Sequence, residues 1–132
     1  MNQSDATIKK VFLDADFLVF CSQNKIDYAS ELRRLLNVNF KMCILDKTLD
    51  ELEVVASKSA KNSTAVRLAK TILTKQKIEL IATDKRTNTD GLILIRKEVH
   101  AVCTQDKKFK SLLKARNIFV LTARKAKYIA ME

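Results

Sequence analysis

Residues 11–20 read VFLDADFLVF, an apolar run broken by two aspartates, Asp14 and Asp16, with one alanine between them. The residues before the break are continuously apolar, with no alternation of apolar and polar side chains. That is the pattern of a parallel strand covered on both faces rather than of a strand with one wet side. An ionised carboxylate is costly in such a setting unless something compensates it. Two chemistries would place an acid there. One is phosphoryl transfer of the haloacid-dehalogenase kind, with an aspartate as nucleophile; the other is metal-assisted phosphodiester cleavage, with Asp14 as the first metal carboxylate.

Working outward, the same pattern recurs at KMCIL (41–45), IELIA (78–82), HAVCT (100–104) and NIFVL (117–121), which with VFLDA (11–15) makes five expected strands. Between them apolar residues recur at helical spacing: Ile26, Ala29, Leu32, Leu35 and Leu36; Leu49, Leu52, Val55 and Ala56; Ala65, Leu68, Ala69, Ile72 and Leu73; Leu92, Ile95 and Val99; Phe109, Leu112 and Leu113. Strands alternating with helices predict βαβ units, hence a three-layer α/β/α domain around a central, mainly parallel five-stranded sheet. Helix starts are expected at Asp27, at Asp46 or Thr48, at Asn62 or Ser63, at Thr89 or Asp90, and at Asp106. SKSAKNS (57–63) reads as a break between helices and DKRTNT (84–89) as a loop. With no linker and no internal repeat, residues 1–132 are expected to form one domain, with 1–10 as a flexible N-terminus and 122–132 as a basic C-terminal extension.

A chain of 132 residues with 47% apolar and 30% charged content is long enough to bury one core. No apolar stretch reaches the roughly 18–20 residues of a membrane span, and MNQSDATIKK lacks the apolar core of a secretory signal, so a soluble, intracellular protein without a membrane partner is expected. One glycine and no proline exclude the glycine-dependent phosphate loops of Walker-type nucleotidases and of dinucleotide enzymes. Cys21, Cys43 and Cys103 have neither metal-ligand spacing nor a nearby histidine and read as buried reduced thiols. The single histidine, His100, reads as structural or surface. A net charge of +10 favours a phosphate-rich polymer or an acidic partner, nucleic acid first.

In a parallel α/β sheet the loops leaving the strands share one edge, where such proteins place their ligands. That edge collects Asp14 after the first strand, Asp46, Asp50 and Glu51 after the second, Asp84 after the third, Asp90 at a helix start and Asp106 after the fourth. With the face of Leu49, Leu52 and Val55 buried, Asp50 points nearly away from it, and Glu51 lies nearer the shared edge than Glu53. Converging acids would raise one another's pKa values unless a cation neutralised them, and oxygen ligands without His or Cys favour Mg²⁺ or Mn²⁺. Unrelated caps and surface acids are the competing reading of the same set.

The segments LDADF, TLDELE, NTDGLIL and VCTQDKKFKSLL resemble, in order and spacing, the four acidic motifs of the PIN-domain ribonucleases, and the resemblance spans Val11 to Leu121. It implies Asp14, Glu51, Asp90 and Asp106 as catalytic residues. Asp14, Asp90 and Asp106 would be direct or water-mediated metal ligands, and Glu51 a ligand or the group that orients the attacking water. Thr104 corresponds to the small hydroxyl residue that often precedes the last acid. The implied activity is a metal-dependent endoribonuclease using Mg²⁺ or Mn²⁺ on single-stranded or looped RNA. LDADFLVFCSQNKID and ARNIFVLTARKAKYIAME look most like the archaeal and eukaryotic branch that processes small-subunit ribosomal RNA, while VapC-type toxins share the four acids.

Two departures stand out. Asp16 occupies a position where Asn, Ser or Thr is usual, which makes it a supporting carboxylate or a polar turn contact. Gly91 replaces a second acid that the ribosomal branch often carries, which favours one metal as readily as two. Against the phosphatase reading, Phe17 and Leu18 follow Asp16 where Gly and then Thr or Val are expected. A non-catalytic RNA-binding module of ribosome assembly is the other alternative; the four acids argue against it, because a phosphate binder gains nothing from carboxylates in its cleft. Expected RNA contacts are Lys58, Lys61, Lys85, Arg86, Lys107 and Lys108, with Arg67, Lys70, Lys110, Arg124, Lys125 and Lys127 as further candidates. The expected partner is RNA, pre-ribosomal in the ribosomal setting, with a homodimer or an assembly factor as further candidates, in the cytoplasm or, in a eukaryote, the nucleolus.

Overall fold

Six short strands form one sheet in the computed structural model, which describes residues 8–84, 91, 93 and 97–132. In chain order the described elements are β1 (Lys9–Leu13), α1 (Ala15–Asn24), α2 (Tyr28–Leu35), β2 (Phe40–Leu45), α3 (Asp46–Ala56), α4 (Ala60–Lys75), β3 (Ile78–Ile81), β4 (Val99–Cys103), α5 (Lys107–Ala115), β5 (Phe119–Arg124) and β6 (Tyr128–Met131). The sheet runs β3-β2-β1-β4-β5-β6, parallel throughout except for the antiparallel β5–β6 pair.

The strands are apolar without alternation because both faces of the sheet are covered. Val11 and Leu13 of β1 point into a core shared with the helices α1 to α4, whereas Phe12 between them joins Cys43, Val102 and Val120 under Phe109 and Leu113 of α5. No described helix is long and apolar enough to cross a membrane.

Three differences from expectation have physical causes. The residues after Asp14 form a helix that no amphipathic stripe announces, because its apolar residues Phe17 to Cys21 run consecutively, although the buried side, with Ala15, Phe17, Leu18, Val19, Cys21 and Ser22, leaves Asp16 and Gln23 exposed. The second long helix is capped by Ser59, whose hydroxyl accepts from Asn62 N–H at 3.0 Å, and not by Asn62 or Ser63. The sheet has six strands instead of five, and residues 122–132 are not an appended extension. Thr122–Arg124 complete β5, and Tyr128–Met131 return as β6, held at Ile129 N–H by the Glu31 carboxylate of α2 at 3.0 Å. The turn between them places Lys125 and Ala126 at φ 54° each, the sign pattern of a type I′ hairpin, with Lys127 N–H donating to Arg124 C=O at 3.0 Å. At the other end Lys9 and Lys10 already belong to β1; residues 1–7 lie outside the described residues.

Candidate active site

The strand order reverses beside β1: the chain runs outward through β2 and β3, then returns to place β4 on the other side of β1. In open α/β sheets the crevice at such a reversal, beyond the C-terminal ends of the strands, is where ligands bind. Register brings the acids to it. Leu13 pairs with Cys103, and Asp14 N–H donates to Cys103 C=O at 3.0 Å, so the ladder ends with Asp14 opposite Thr104.

Thr104 is fully buried, and its hydroxyl is the centre of the site. Oγ1 donates to Asp14 Oδ2 at 2.8 Å and accepts from Asp106 N–H at 3.2 Å. Asp16 Oδ1 lies 3.4 Å from the same oxygen and accepts from Gln105 N–H at 3.3 Å. A hydroxyl has one proton to give, and the shorter distance assigns it to Asp14. One threonine therefore ties together acids from the exits of two neighbouring strands.

Each acid is also tied to a helix start. Asp14 is the N-cap of α1 and accepts from Ala15 N–H at 3.0 Å; Asp16 lies in the first turn of the same helix. Asp106 is the N-cap of α5, its Oδ1 accepting from Lys108 N–H at 2.9 Å and Phe109 N–H at 3.2 Å. Two helix dipoles thus direct their positive ends at the crevice, which offsets part of the repulsion among the carboxylates. The offset is incomplete at Asp16. Loss of hydration pushes its carboxyl above the ordinary value, hydrogen bonds from Gln105 and Phe17 pull it down, and the charge of Asp106 pushes it up again.

Gln105 was not singled out in the sequence. Its side-chain amide imitates a strand residue: Oε1 accepts from Ala123 N–H at 2.7 Å and from the Thr122 hydroxyl at 2.9 Å, while Nε2 donates to Ala123 C=O at 3.1 Å. These three bonds pin the Thr104–Asp106 turn to β5. Asp46 is the first residue of α3 rather than a cap; it accepts from Thr83 N–H at 3.1 Å and the Thr83 hydroxyl at 2.6 Å, which fastens the exit of β3 to that of β2.

Glu51 is half-buried on α3, which packs against α1. Asp90, Lys85 and Arg86 lie outside the described residues. Among the described residues no three His, Cys, Asp or Glu side chains form a group able by themselves to hold a metal ion. The donors that do meet here are all carboxylate oxygens, which suits a hard divalent cation in kind. Among the described residues no soft or nitrogen ligand joins them. Cys103 is fully buried with its thiol pushed well above the ordinary value by burial, and His100 lies near the start of β4, at the opposite sheet edge, with its ring tilted against that of Phe119.

Lys107 and Lys108 are exposed at the start of α5 beside Asp106, and Lys58 and Lys61 are exposed around the α3–α4 junction. Three of the further cations expected to meet phosphate are instead engaged by acids: Lys70 pairs with Glu53, while Lys110 and Arg124 converge on Glu132, at 3.3 and 3.0 Å. A phosphate approaching any of these three would first have to displace that carboxylate.

A family model described as a PIN like domain matches residues 11–126. Ribonuclease VapC4 of Methanocaldococcus jannaschii is 27% identical over 122 residues, covering 90% of this chain and 93% of the relative. The solved structure of the PIN domain endonuclease Utp24 superposes with a TM-score of 0.73 at 28% identity, over 93% of this chain and 90% of that one. A domain of a functionally unknown protein from the same Methanocaldococcus species shares the fold at a TM-score of 0.51 and 18% identity, covering 88% of this chain and 91% of that one. With the family model covering nearly the whole fold and the acids meeting at its strand reversal, this chain belongs to the PIN-like domain family.

Proposed function

We propose that this protein is a metal-dependent endoribonuclease that hydrolyses phosphodiester bonds of single-stranded or looped RNA at the crevice between β1 and β4. The observation that carries the reading is the Thr104 hydroxyl, which ties Asp14 and the Asp106 backbone together beside Asp16 at the strand reversal. Similarity to a ribonuclease and to a PIN domain endonuclease supports the reaction class.

Asp14 and Asp106, with Asp90, would hold Mg²⁺ or Mn²⁺, and Glu51 would complete the site as a ligand or by orienting the attacking water. When bound, the cation supplies water activation and neutralises charge on the phosphate and the leaving oxygen. Thr104 fixes the Asp14 carboxylate through its hydroxyl and the Asp106 backbone through its oxygen. Asp16 contributes negative charge next to Asp106 and raises the demand for a cation. Lys107 and Lys108 lie where the RNA backbone would approach Asp106, and Lys58, Lys61, Lys85 and Arg86 are assigned to the strand on either side.

The likeness of the opening and closing segments to the small-subunit branch supports a role in ribosomal RNA processing, with the cytoplasm or, in a eukaryote, the nucleolus as the proposed compartment. The VapC4 relative favours a toxin-type ribonuclease as the second reading.

The test is a labelled structured RNA incubated with Mg²⁺ or Mn²⁺ and native protein, Asp14→Asn or Asp90→Asn. Native protein is expected to cut internally, and each variant to bind the RNA yet cut at least about a hundredfold more slowly. Native protein that binds RNA but cuts in no divalent metal refutes the enzyme reading. An Asn variant that cuts at the native rate refutes the site.

A further inference from the structure

At the sheet edge opposite the acids, where β1 and β2 begin and α2 and α4 end, a groove of about 890 Å³ opens. Its lining combines four cations, Arg33, Lys41, Lys75 and Lys77, with an apolar floor, and among the described residues includes no carboxylate. Elsewhere the described cations are repeatedly paired: Lys10 with Glu79, Arg34 with Glu31, Lys70 with Glu53, and Lys110, Lys114 and Arg124 with Glu132. In the groove Lys41, Lys75 and Lys77 form no ion pair among the described residues, and Arg33, though within the field of Asp27, donates to the neutral Ser30 hydroxyl at 3.1 Å. The cations come from three separate segments, so their convergence is tertiary and not the outer face of one helix.

The floor decides which anion fits. Ile8 and Val38 expose 45% and 42% of their surface, and they lie with Leu36, Phe40 and Met42 in the same groove. Non-specific RNA binding wants aromatic faces for bases to stack on, but Phe40 is half-buried. Of the two amides in the lining, Gln76 already accepts from the Tyr28 hydroxyl at 2.8 Å. Aliphatic side chains gain nothing from a ribose-phosphate backbone. They gain from apolar side chains at i, i+3, i+4 and i+7 of an amphipathic helix, the mode in which helices lie in grooves.

We propose that this groove is a docking site for an acidic amphipathic segment of a partner protein, whose apolar face would cover Ile8, Val38 and Met42 and whose Asp or Glu flanks would meet Lys41, Lys75 and Lys77. The site is separate from the acid crevice, so docking leaves that crevice open to RNA. It stands whether or not the chain proves to be a nuclease.

The probe is a displayed library of random 18-residue peptides selected on the native protein, with the enriched peptides then measured by fluorescence anisotropy. Enrichment of Asp and Glu flanking apolar residues at helical spacing is expected. Affinity is expected to fall about tenfold for each of Lys41→Glu and Lys77→Glu, and to fall as salt rises. Val38→Ser, which alters the floor without touching charge, serves as a second variant, and thermal melts confirm that all three fold. RNA cleavage by the same variants is expected to be unchanged. Three results overturn the proposal: no peptide enriched, enriched peptides without acids, or binding indifferent to both charge reversals and to Val38→Ser. If both charge reversals instead weaken a single-stranded RNA oligonucleotide tenfold and leave the selected peptides bound, the groove belongs to RNA.

Discussion

Replacing Thr104 by valine keeps the shape of the side chain and deletes one oxygen. Because Thr104 is fully buried, no water takes that oxygen's place, and the two groups it served are left without it. The bond it donates to Asp14 Oδ2 at 2.8 Å has a charged acceptor and contributes about 1.5–3 kcal/mol. The bond it accepts from Asp106 N–H at 3.2 Å is neutral and contributes about 0.5–1.5 kcal/mol. The two share one atom and do not add fully, so Thr104→Val is expected to lose about 2–4 kcal/mol. For a domain of this size that lowers Tm by roughly 6–20 °C. Thr104→Ser restores the oxygen and removes only a methyl, at about 1 kcal/mol. Urea unfolding of the three proteins at neutral pH measures these values, provided the m values agree. Cleavage should fall about 10–100-fold in the valine variant, as when a group that orients metal ligands is removed, and recover in the serine variant. Thr104→Val as stable as native protein to within about 0.5 kcal/mol would show that the hydroxyl holds nothing together.

Gln105→Ala removes three hydrogen bonds to β5 and should cost about 1–3 kcal/mol in the same urea experiment, with Gln105→Glu failing to rescue because it cannot donate to Ala123 C=O. The thiols should resist alkylation in the native state: burial pushes Cys21 and Cys43 up to about 12 and Cys103 well above the ordinary thiol value, so a thiol reagent at pH 8 should titrate three groups only after denaturant is added. Stability should fall in acid. Asp27 is held below its ordinary 3.8 by the Ser30 hydroxyl and N–H; Glu31 is held below 4.5 by Arg34 and the Ile129 N–H. Glu132 is raised by burial but lowered further by Lys110, Arg124 and Lys114. A carboxyl with a depressed folded pKa stabilises fully above its unfolded value and loses that contribution as pH falls through the folded one. The decline should therefore begin near pH 4.5 and continue below 3.8, and Asp27→Ala, costing about 1 kcal/mol at pH 7, should cost nothing at the acid end. A melt series in pH decides it.

The sequence made the strands legible because a doubly covered parallel strand is apolar at every position, and it made Asp14 and Asp106 legible because acids that close such strands have few other reasons to be there. The helix from Ala15 to Asn24 is harder to read, because its apolar residues Phe17 to Cys21 are consecutive and no helical spacing stands out, although Asp16 and Gln23 lie on an exposed side. The β5–β6 hairpin escaped because its turn uses Lys125 and Ala126 at positive φ, where glycine or asparagine would have marked it. With one glycine in the chain, left-handed positions fall to other residues, as Lys25 does at the end of α1. Gln105 could not be found from spacing, since its partners lie 17 and 18 residues away and exist only once β5 is in register. The same holds for Asp46, which reads as a cap but reaches 37 residues along the chain to Thr83.

The bond between Asp14 and Thr104 joins residues 90 positions apart in the chain. The first supplies one wall of the crevice and leaves the ribosome well before the second, which follows only after β4 has been synthesised. A chain stopped anywhere in between carries a strand-end acid and an incomplete site, so the crevice is absent until β4 has followed. The crevice forms late, with closure of a long loop whose entropy is repaid only when the two halves of the sheet dock. Divided between β3 and β4, the chain would fall into two pieces that each lack half of the crevice, and recovery of the site on mixing them would report how firmly the halves of the sheet recognise each other.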